Sequence, residues 1–164
     1  MNKNILPILL ILLACACKDA AKSTNGEKTT SKQEQDTCNW LTFEYKVAKA
    51  FLINDPEGYL EAFSANKPFD KFIKADSVWI LDSTQVNKLN DILCGRIVSK
   101  KNPEEVTAAC FEPHHGVLFY DKANKIVASV NICFLCNNAQ IFPPAKRHDI
   151  KALGQWCEDI GMPR

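Results

Sequence analysis

The segment from residue 116 to residue 132 constrains the fold more than any other part of the sequence. Two stretches rich in β-branched and aromatic residues, 116–121 and 126–132, flank a short polar connection. Asn124 tolerates the left-handed backbone that closes a three-residue loop, so the pattern predicts a β-hairpin. The expected register pairs Tyr120 with Ile126. It assigns one set of residues to the core face: Leu118, Tyr120, Ile126, Ala128, Val130 and Ile132.

Two further strands are indicated before the hairpin. Apolar residues alternate within 43–53, which favours a strand over a competing helix, and a second short strand is expected over 77–81. Between them, a short helix is predicted over 58–63.

Helical spacing of apolar residues predicts two main helices, over about 84–94 and about 147–160. Ser83 or Thr84 is the expected N-cap of the first helix, and Gly95 is its expected stop. The order of all elements predicts an α+β domain. It consists of a small antiparallel sheet of about four strands, including the hairpin 116–134, with the two main helices on one face.

The first fourteen residues have the features of a secretory signal. Lys3 provides a positive start, and an apolar run over 5–13 follows. This run is too short to span a bilayer, which needs about 20 residues, but it fits the apolar core of a signal peptide. Ala14 is the small residue expected before a cleavage site.

Leu12, Ala14 and Cys15 together resemble the lipobox of bacterial lipoproteins. The resemblance implies that Cys15 carries fatty acids such as palmitate after the signal 1–14 is removed. Cys17 is the alternative lipidation site, with alanines at 14 and 16. We therefore expect an exported chain held on the outer membrane by its lipid, on either the periplasmic face or the cell surface. Several acyl chains give a firm anchor because each buried CH₂ contributes about 0.8 kcal/mol.

Residues 15–36 are predicted to form the lipidated end and a flexible tether. From residue 18 onward this segment has no aromatic or large aliphatic residue, so it cannot bury enough apolar surface to fold. Residues 37–164 are the length of one domain. Their acidic and basic residues balance, so the chain lacks the basic surface that nucleic-acid binding requires. The expected partners are the membrane, through the lipid, and an envelope protein.

An even number of cysteines in an exported domain predicts disulfides. The domain contains six, and the connectivity stays open among them: Cys38, Cys94, Cys110, Cys133, Cys136 and Cys157. Extending the hairpin register would place Cys110 opposite Cys136, which makes this pair the candidate disulfide. Pro113 works against that extension because it cannot donate to the ladder.

The same region offers an alternative metal site. Thiolates and one imidazole form a tetrahedral zinc set, and the candidates are Cys110, His114, His115, Cys133 and Cys136. Adjacent strand residues face opposite sides, so only one of the two histidines can point inward, and the expected register places His115 on the face of Cys133. An oxidising compartment argues against free thiolates and hence against zinc.

A thiol-redox role for Cys133 and Cys136 is a further alternative. A reactive Cys-x-x-Cys normally begins a helix, whose dipole lowers the pKa of the first thiol. Asn137 and Asn138 follow here, with prolines at 143 and 144, so no helix is expected at this position.

The block from Cys110 to Cys136 is similar to a group of small uncharacterised lipoproteins of Bacteroidota. The resemblance rests on Cys-Phe-Glu-Pro-His-His, Phe-Tyr-Asp and Ile-Cys-Phe-Leu-Cys, and it extends over about 77–163. It implies no activity. Glu112 is close in sequence to the two histidines and could act as a general acid or base. No nucleophile or second carboxylate accompanies it, so the sequence does not predict a catalytic set. We expect a non-enzymatic, disulfide-stabilised structural or binding domain without a cofactor.

Overall fold

The computed structural model of the protein describes residues 37–99 and 110–164, and a five-stranded antiparallel sheet lies at its centre. The order across the sheet is β2-β1-β3-β4-β5, and neighbouring strands are antiparallel. This confirms the predicted α+β class, with five strands rather than about four. The strands are β1 (Val47–Ile53), β2 (Ile73–Ile80), β3 (His115–Tyr120), β4 (Ile126–Cys133) and β5 (Asn138–Phe142).

The predictions for the amino-terminal part of the chain lie outside the described residues. They concern the signal 1–14, lipidation at Cys15 or Cys17, and the tether 15–36. Within the part that the structure does describe, no helix is both long enough and apolar enough to span a bilayer.

In the described part of the chain, three α-helices and one short 3-10 helix accompany the sheet: α1 (Pro56–Ser64), α2 (Ser83–Leu93), α3 (Ile150–Asp159) and the 3-10 helix Asp70–Phe72. The N-cap of α2 is Asp82, one residue before the predicted cap. Its carboxylate accepts the N–H of Gln85 at 2.8 Å, while the Gln85 side chain accepts the N–H of Asp82 at 2.9 Å. This reciprocal capping box satisfies two N–H groups at once. Gly95 follows the helix with φ +74°, as expected of its stop.

The last helix begins later than predicted because Asp149 caps it. The Asp149 carboxylate accepts the N–H of Ala152 at 2.9 Å and both the N–H and the hydroxyl of Ser99. Burial disfavours the charged carboxylate and by itself would raise the pKa of Asp149. These hydrogen bonds outweigh that effect and hold the pKa below its ordinary value. Asp149 therefore fixes the start of α3 and the chain that follows α2 together.

The predicted hairpin is present, but a bulge changes which residues face the larger core. Tyr120 pairs with Ile126 as predicted, and the register then shifts by one residue so that Phe119 pairs with Ala128. A one-residue shift moves side chains to the opposite face. As a result, the predicted core face is right for β4 from Ala128 onward and wrong for Ile126 and for β3. Ala128, Val130 and Ile132 share the larger core with Val117 and Phe119, whereas Leu118 and Tyr120 lie in the smaller one, together with Ile126.

The three central strands of the sheet, β1, β3 and β4, are covered on both faces. The larger core receives α2 and α3, through residues such as Leu89, Leu93, Leu153 and Trp156, so the two main helices do share one face. The smaller core lies under α1 and is built around Tyr59, Phe51 and Leu118. The short helix predicted over 58–63 thus has a specific role, which is to cover the second face of the sheet.

The chain is held firmly at the point where the described fold begins. A disulfide joins Cys38 to Cys94, directly after α2. The backbone N–H of Trp40 donates to Asn90 Oδ1 at 2.8 Å, and its indole N–H donates to the carbonyl of Pro143 at 2.7 Å. We call this set of contacts the N-terminal clamp.

Candidate functional site

Three cysteine sulfurs meet where β4 turns into β5. Cys133 is the last residue of β4, Cys136 lies in the turn, and the two form a disulfide. The Sγ atom of Cys110 lies 3.4 Å from the Sγ atom of Cys136. We call these three residues the sulfur cluster.

Solvent reaches the members of the sulfur cluster unequally. Cys133 and Cys136 are buried, whereas Cys110 is exposed and has no disulfide partner. The backbone N–H of Cys136 donates a hydrogen bond to Cys133 Sγ at 3.1 Å. The cluster therefore consists of a shielded disulfide with one thiol on its solvent side.

The pairing differs from the candidate disulfide of the sequence analysis. Cys136 is bonded to Cys133, and the Cys110–Cys136 bond is not formed, although the two sulfurs are in contact. The physical reason is that β3 begins only at His115, so no ladder extends to Cys110. The turn after β4 instead brings together two cysteines that are three residues apart.

The prediction that the domain contains disulfides is confirmed by the bonds Cys38–Cys94 and Cys133–Cys136. Cys157 is a free thiol in the larger core. Burial raises the pKa of Cys157 to about 12, so its thiol stays protonated at neutral pH.

His115 is fixed at the start of β3 next to the carboxyl terminus. Its Nε2 lies 2.7 Å from the carbonyl oxygen of Pro163, and because a carbonyl only accepts, Nε2 carries the proton. The Nδ1 atom is buried without a hydrogen-bond partner, and the ring packs against Phe134 at 4.6 Å between centroids. Burial lowers the pKa of His115, an effect that the neighbouring charges of His114 and Arg164 increase and the bond to Pro163 opposes.

The predicted zinc ligands are not arranged as a ligand set. Among residues 37–99 and 110–164, no group of three His, Cys, Asp or Glu side chains is placed to hold a metal ion. Two of the five candidates are tied up in the Cys133–Cys136 disulfide, which provides no thiolate. The register shift also places His115 opposite Ile132, and thus on the other face from Cys133, contrary to the expected register. The oxidised domain therefore does not fit zinc at this position.

A cleft of about 530 Å³ lies beside the sulfur cluster. Its lining combines apolar side chains with two cations and both adjacent histidines. Leu135, between the two bonded cysteines, is 86% exposed. The lining includes Leu52, Phe134, Leu135, Lys74, His114 and Arg164. The Arg164 guanidinium also lies over the Phe134 ring, 5.2 Å from its centroid.

Sequence reasoning missed two contributors to this region. The first is β5, whose pairing with β4 shapes the turn that holds Cys136. The second is the carboxyl terminus, because Pro163 and Arg164 reach the cleft from the far end of the chain. The three-residue spacing of Cys133 and Cys136 was the available signal for the turn before β5. Nothing in the sequence pattern marks the contribution of Pro163 and Arg164.

Comparison of the chain with protein-family models, with curated proteins and with solved structures finds no match.

Proposed function

We propose that the protein is a cell-envelope lipoprotein, held on the outer membrane through acylated Cys15, whose disulfide-stabilised domain binds an envelope partner. The observation that carries this proposal is the Cys38–Cys94 disulfide at the start of the described fold. Disulfides persist in oxidising compartments and are rare where thiols are kept reduced. The bond therefore supports the export that the signal over 1–14 predicts.

The N-terminal clamp suits a domain that is carried on a tether. Besides the disulfide, Arg96 donates to the carbonyl of Cys38 at 2.6 Å and also bonds the carboxylate of Asp91. These contacts fix the first described residues to the end of α2. A tether over 15–36 would thus join the domain at a point with little freedom to fray.

A binding role is favoured by the cleft beside the sulfur cluster. An exposed leucine that shares a cleft with half-buried apolar side chains, here Phe134 and Leu52, is typical of contact sites for other proteins. Leu135 provides that feature, and Lys74 and Arg164 add positive charge to the same cleft. His115 has its Nε2 proton engaged by the Pro163 carbonyl, which supports a structural role over proton transfer.

Export and lipidation are tested by mass spectrometry on the full chain expressed in a bacterium with a lipoprotein pathway. We expect a mature protein beginning at an acylated Cys15, unchanged in a Cys17→Ser variant and lost in Cys15→Ser. Acyl groups that persist in Cys15→Ser would show that Cys17 is the lipidation site. A cytosolic protein that retains Met1 and carries no fatty acid would overturn the proposal.

The binding role is tested by photo-crosslinking in cells from position 135. We expect one discrete protein adduct that does not form from position 80, because Ile80 is also well exposed, at 73%, but lies on the edge strand β2. Equal adducts from both positions would contradict a site at the cleft.

The metal-binding alternative is tested by measuring the thiol and zinc content of the purified protein. Free thiols at Cys133 and Cys136 together with stoichiometric zinc would replace the proposal by that alternative.

A further inference from the structure

We propose that the sulfur cluster is a thiol–disulfide exchange site in which Cys110 connects the shielded Cys133–Cys136 disulfide to thiols outside the protein. This activity goes beyond the binding role proposed above and does not depend on the lipid anchor. It rests on the contact between Cys110 and Cys136, on the unequal exposure of the three sulfurs, and on the hydrogen bond to Cys133.

The contact supplies the first requirement of exchange. A disulfide is opened when a thiolate attacks one of its sulfurs. The Sγ atom of Cys110 lies 3.4 Å from that of Cys136, whereas Cys157, the other free cysteine of the described residues, is buried in the larger core. Cys110 is therefore the attacking sulfur and Cys136 the attacked one.

The internal step is balanced without any external oxidant. Cys110 releases its proton to water, and the resulting thiolate forms a bond to Cys136 Sγ. The bond between Cys136 and Cys133 breaks, its electron pair leaves on Cys133, and Cys133 takes up a proton from water. The number of disulfides and thiols is unchanged.

The leaving sulfur already has a stabilising donor. The backbone N–H of Cys136 points to Cys133 Sγ at 3.1 Å. A hydrogen bond to a sulfur that gains negative charge is stronger than one to a neutral sulfur, so this N–H favours departure of the Cys133 thiolate. Without such a donor, burial of Cys133 would make it a poor leaving group.

Exposure determines how an outside partner takes part. Cys133 and Cys136 are buried, so a partner reaches the cluster through exposed Cys110. The partner class is a dithiol, and its first thiolate attacks Cys110 in the Cys110–Cys136 bond and releases Cys136. Its second thiol then displaces Cys110 and closes the partner's own disulfide. The partner loses two electrons and two protons, and Cys133 and Cys136 gain them as two thiols.

The first test measures the reduction of the Cys133–Cys136 bond by dithiothreitol in the full oxidised chain. Samples are quenched by alkylation and digested with trypsin, which places Cys110 in peptide 102–122 and the other two cysteines in peptide 126–146. We expect Cys110→Ser to slow the double alkylation of peptide 126–146 by about tenfold or more, because the exposed relay sulfur is lost. The matched control is Cys157→Ala, which removes the buried free thiol and should leave the rate unchanged. A smaller slowing in Cys110→Ser overturns the proposal.

A second variant tests whether the attacking and attacked sulfurs meet. In Cys133→Ser, oxidised glutathione should join Cys110 to Cys136, which appears as a cross-link between peptides 102–122 and 126–146. Absence of that cross-link overturns the proposal. Both readouts are independent of acylation and of any bound partner, so they fail or succeed separately from the proposed function.

Discussion

The hydroxyl of Tyr59 donates a hydrogen bond to Oδ1 of Asn131 at 2.9 Å, joining α1 to β4 inside the smaller core. Both residues are buried. Burial raises the pKa of Tyr59 far above its usual range, an effect that the nearby Tyr120 reinforces, so the hydroxyl is a protonated donor at neutral pH. This bond specifies how α1 covers the second face of the sheet.

Removing the hydroxyl should therefore destabilise the domain. We expect Tyr59→Phe to lower the free energy of unfolding by about 1–3 kcal/mol, because the buried Asn131 oxygen is left without a partner. Urea unfolding measures the loss. A double-mutant cycle with Asn131→Ala should show coupling between the two positions, and purely additive losses would contradict a direct interaction.

The buried imidazole of His115 should make stability depend on pH. Its folded-state pKa lies below the unfolded value of 6.5, so as the pH falls the unfolded chain binds the proton first. The contribution of the neutral His115 imidazole to stability is therefore fully present above the unfolded-state pKa. It is lost as the pH falls from that value through the folded-state pKa. We expect urea unfolding between about pH 7.5 and about pH 5 to show a smaller loss in His115→Gln than in the natural sequence. His148→Gln is the matched control, because His148 is exposed and is not among the groups that shift the pKa of His115. An unchanged profile in His115→Gln would contradict the prediction.

The two disulfides should contribute unequally to stability. Cys38 and Cys94 are 56 residues apart, whereas Cys133 and Cys136 are three apart. Chain entropy predicts losses of about 4 and about 2 kcal/mol on removal of the long-range and short-range bonds, respectively. Calorimetry on the paired variants Cys38→Ala/Cys94→Ala and Cys133→Ala/Cys136→Ala measures the difference. A larger loss from the second pair would show that packing, and not loop closure, dominates.

The two free cysteines of the described residues should differ in reactivity. Cys110 is exposed, whereas Cys157 is buried and its pKa is raised to about 12. We expect iodoacetamide to label Cys110 in the folded protein about 100-fold faster than Cys157, since the thiolate is the nucleophile. Unfolding in urea should remove the difference. Comparable labelling of both thiols in the folded chain would be the contrary result.

Local patterns were sufficient to predict most of the elements. The alternation around Tyr120 and Ile126, the apolar spacing of α2 and the stop at Gly95 correspond to what the structure contains. These features depend on neighbours within a few residues, which a sequence displays directly. The α+β class followed from their order.

The bulge near Tyr120 could not be predicted in this way. Both faces of β3 are apolar and buried, so the side-chain pattern did not reveal that the register slips beyond Phe119. The same limitation affected the cysteines, because the extrapolated ladder favoured Cys110 as the partner of Cys136. Strand β5 has only five residues and is recognisable chiefly through its pairing with β4.

The N-terminal clamp has a mechanical consequence. The Cys38–Cys94 bond closes a covalent loop that contains β1, α1, β2 and α2. When the chain is pulled from its amino end against the carboxy-terminal half, the force passes through the sulfur–sulfur bond and bypasses that loop. The chain between Cys38 and Cys94 then cannot be extended while the bond is intact, and within the described fold the extension comes from the segments beyond Cys94.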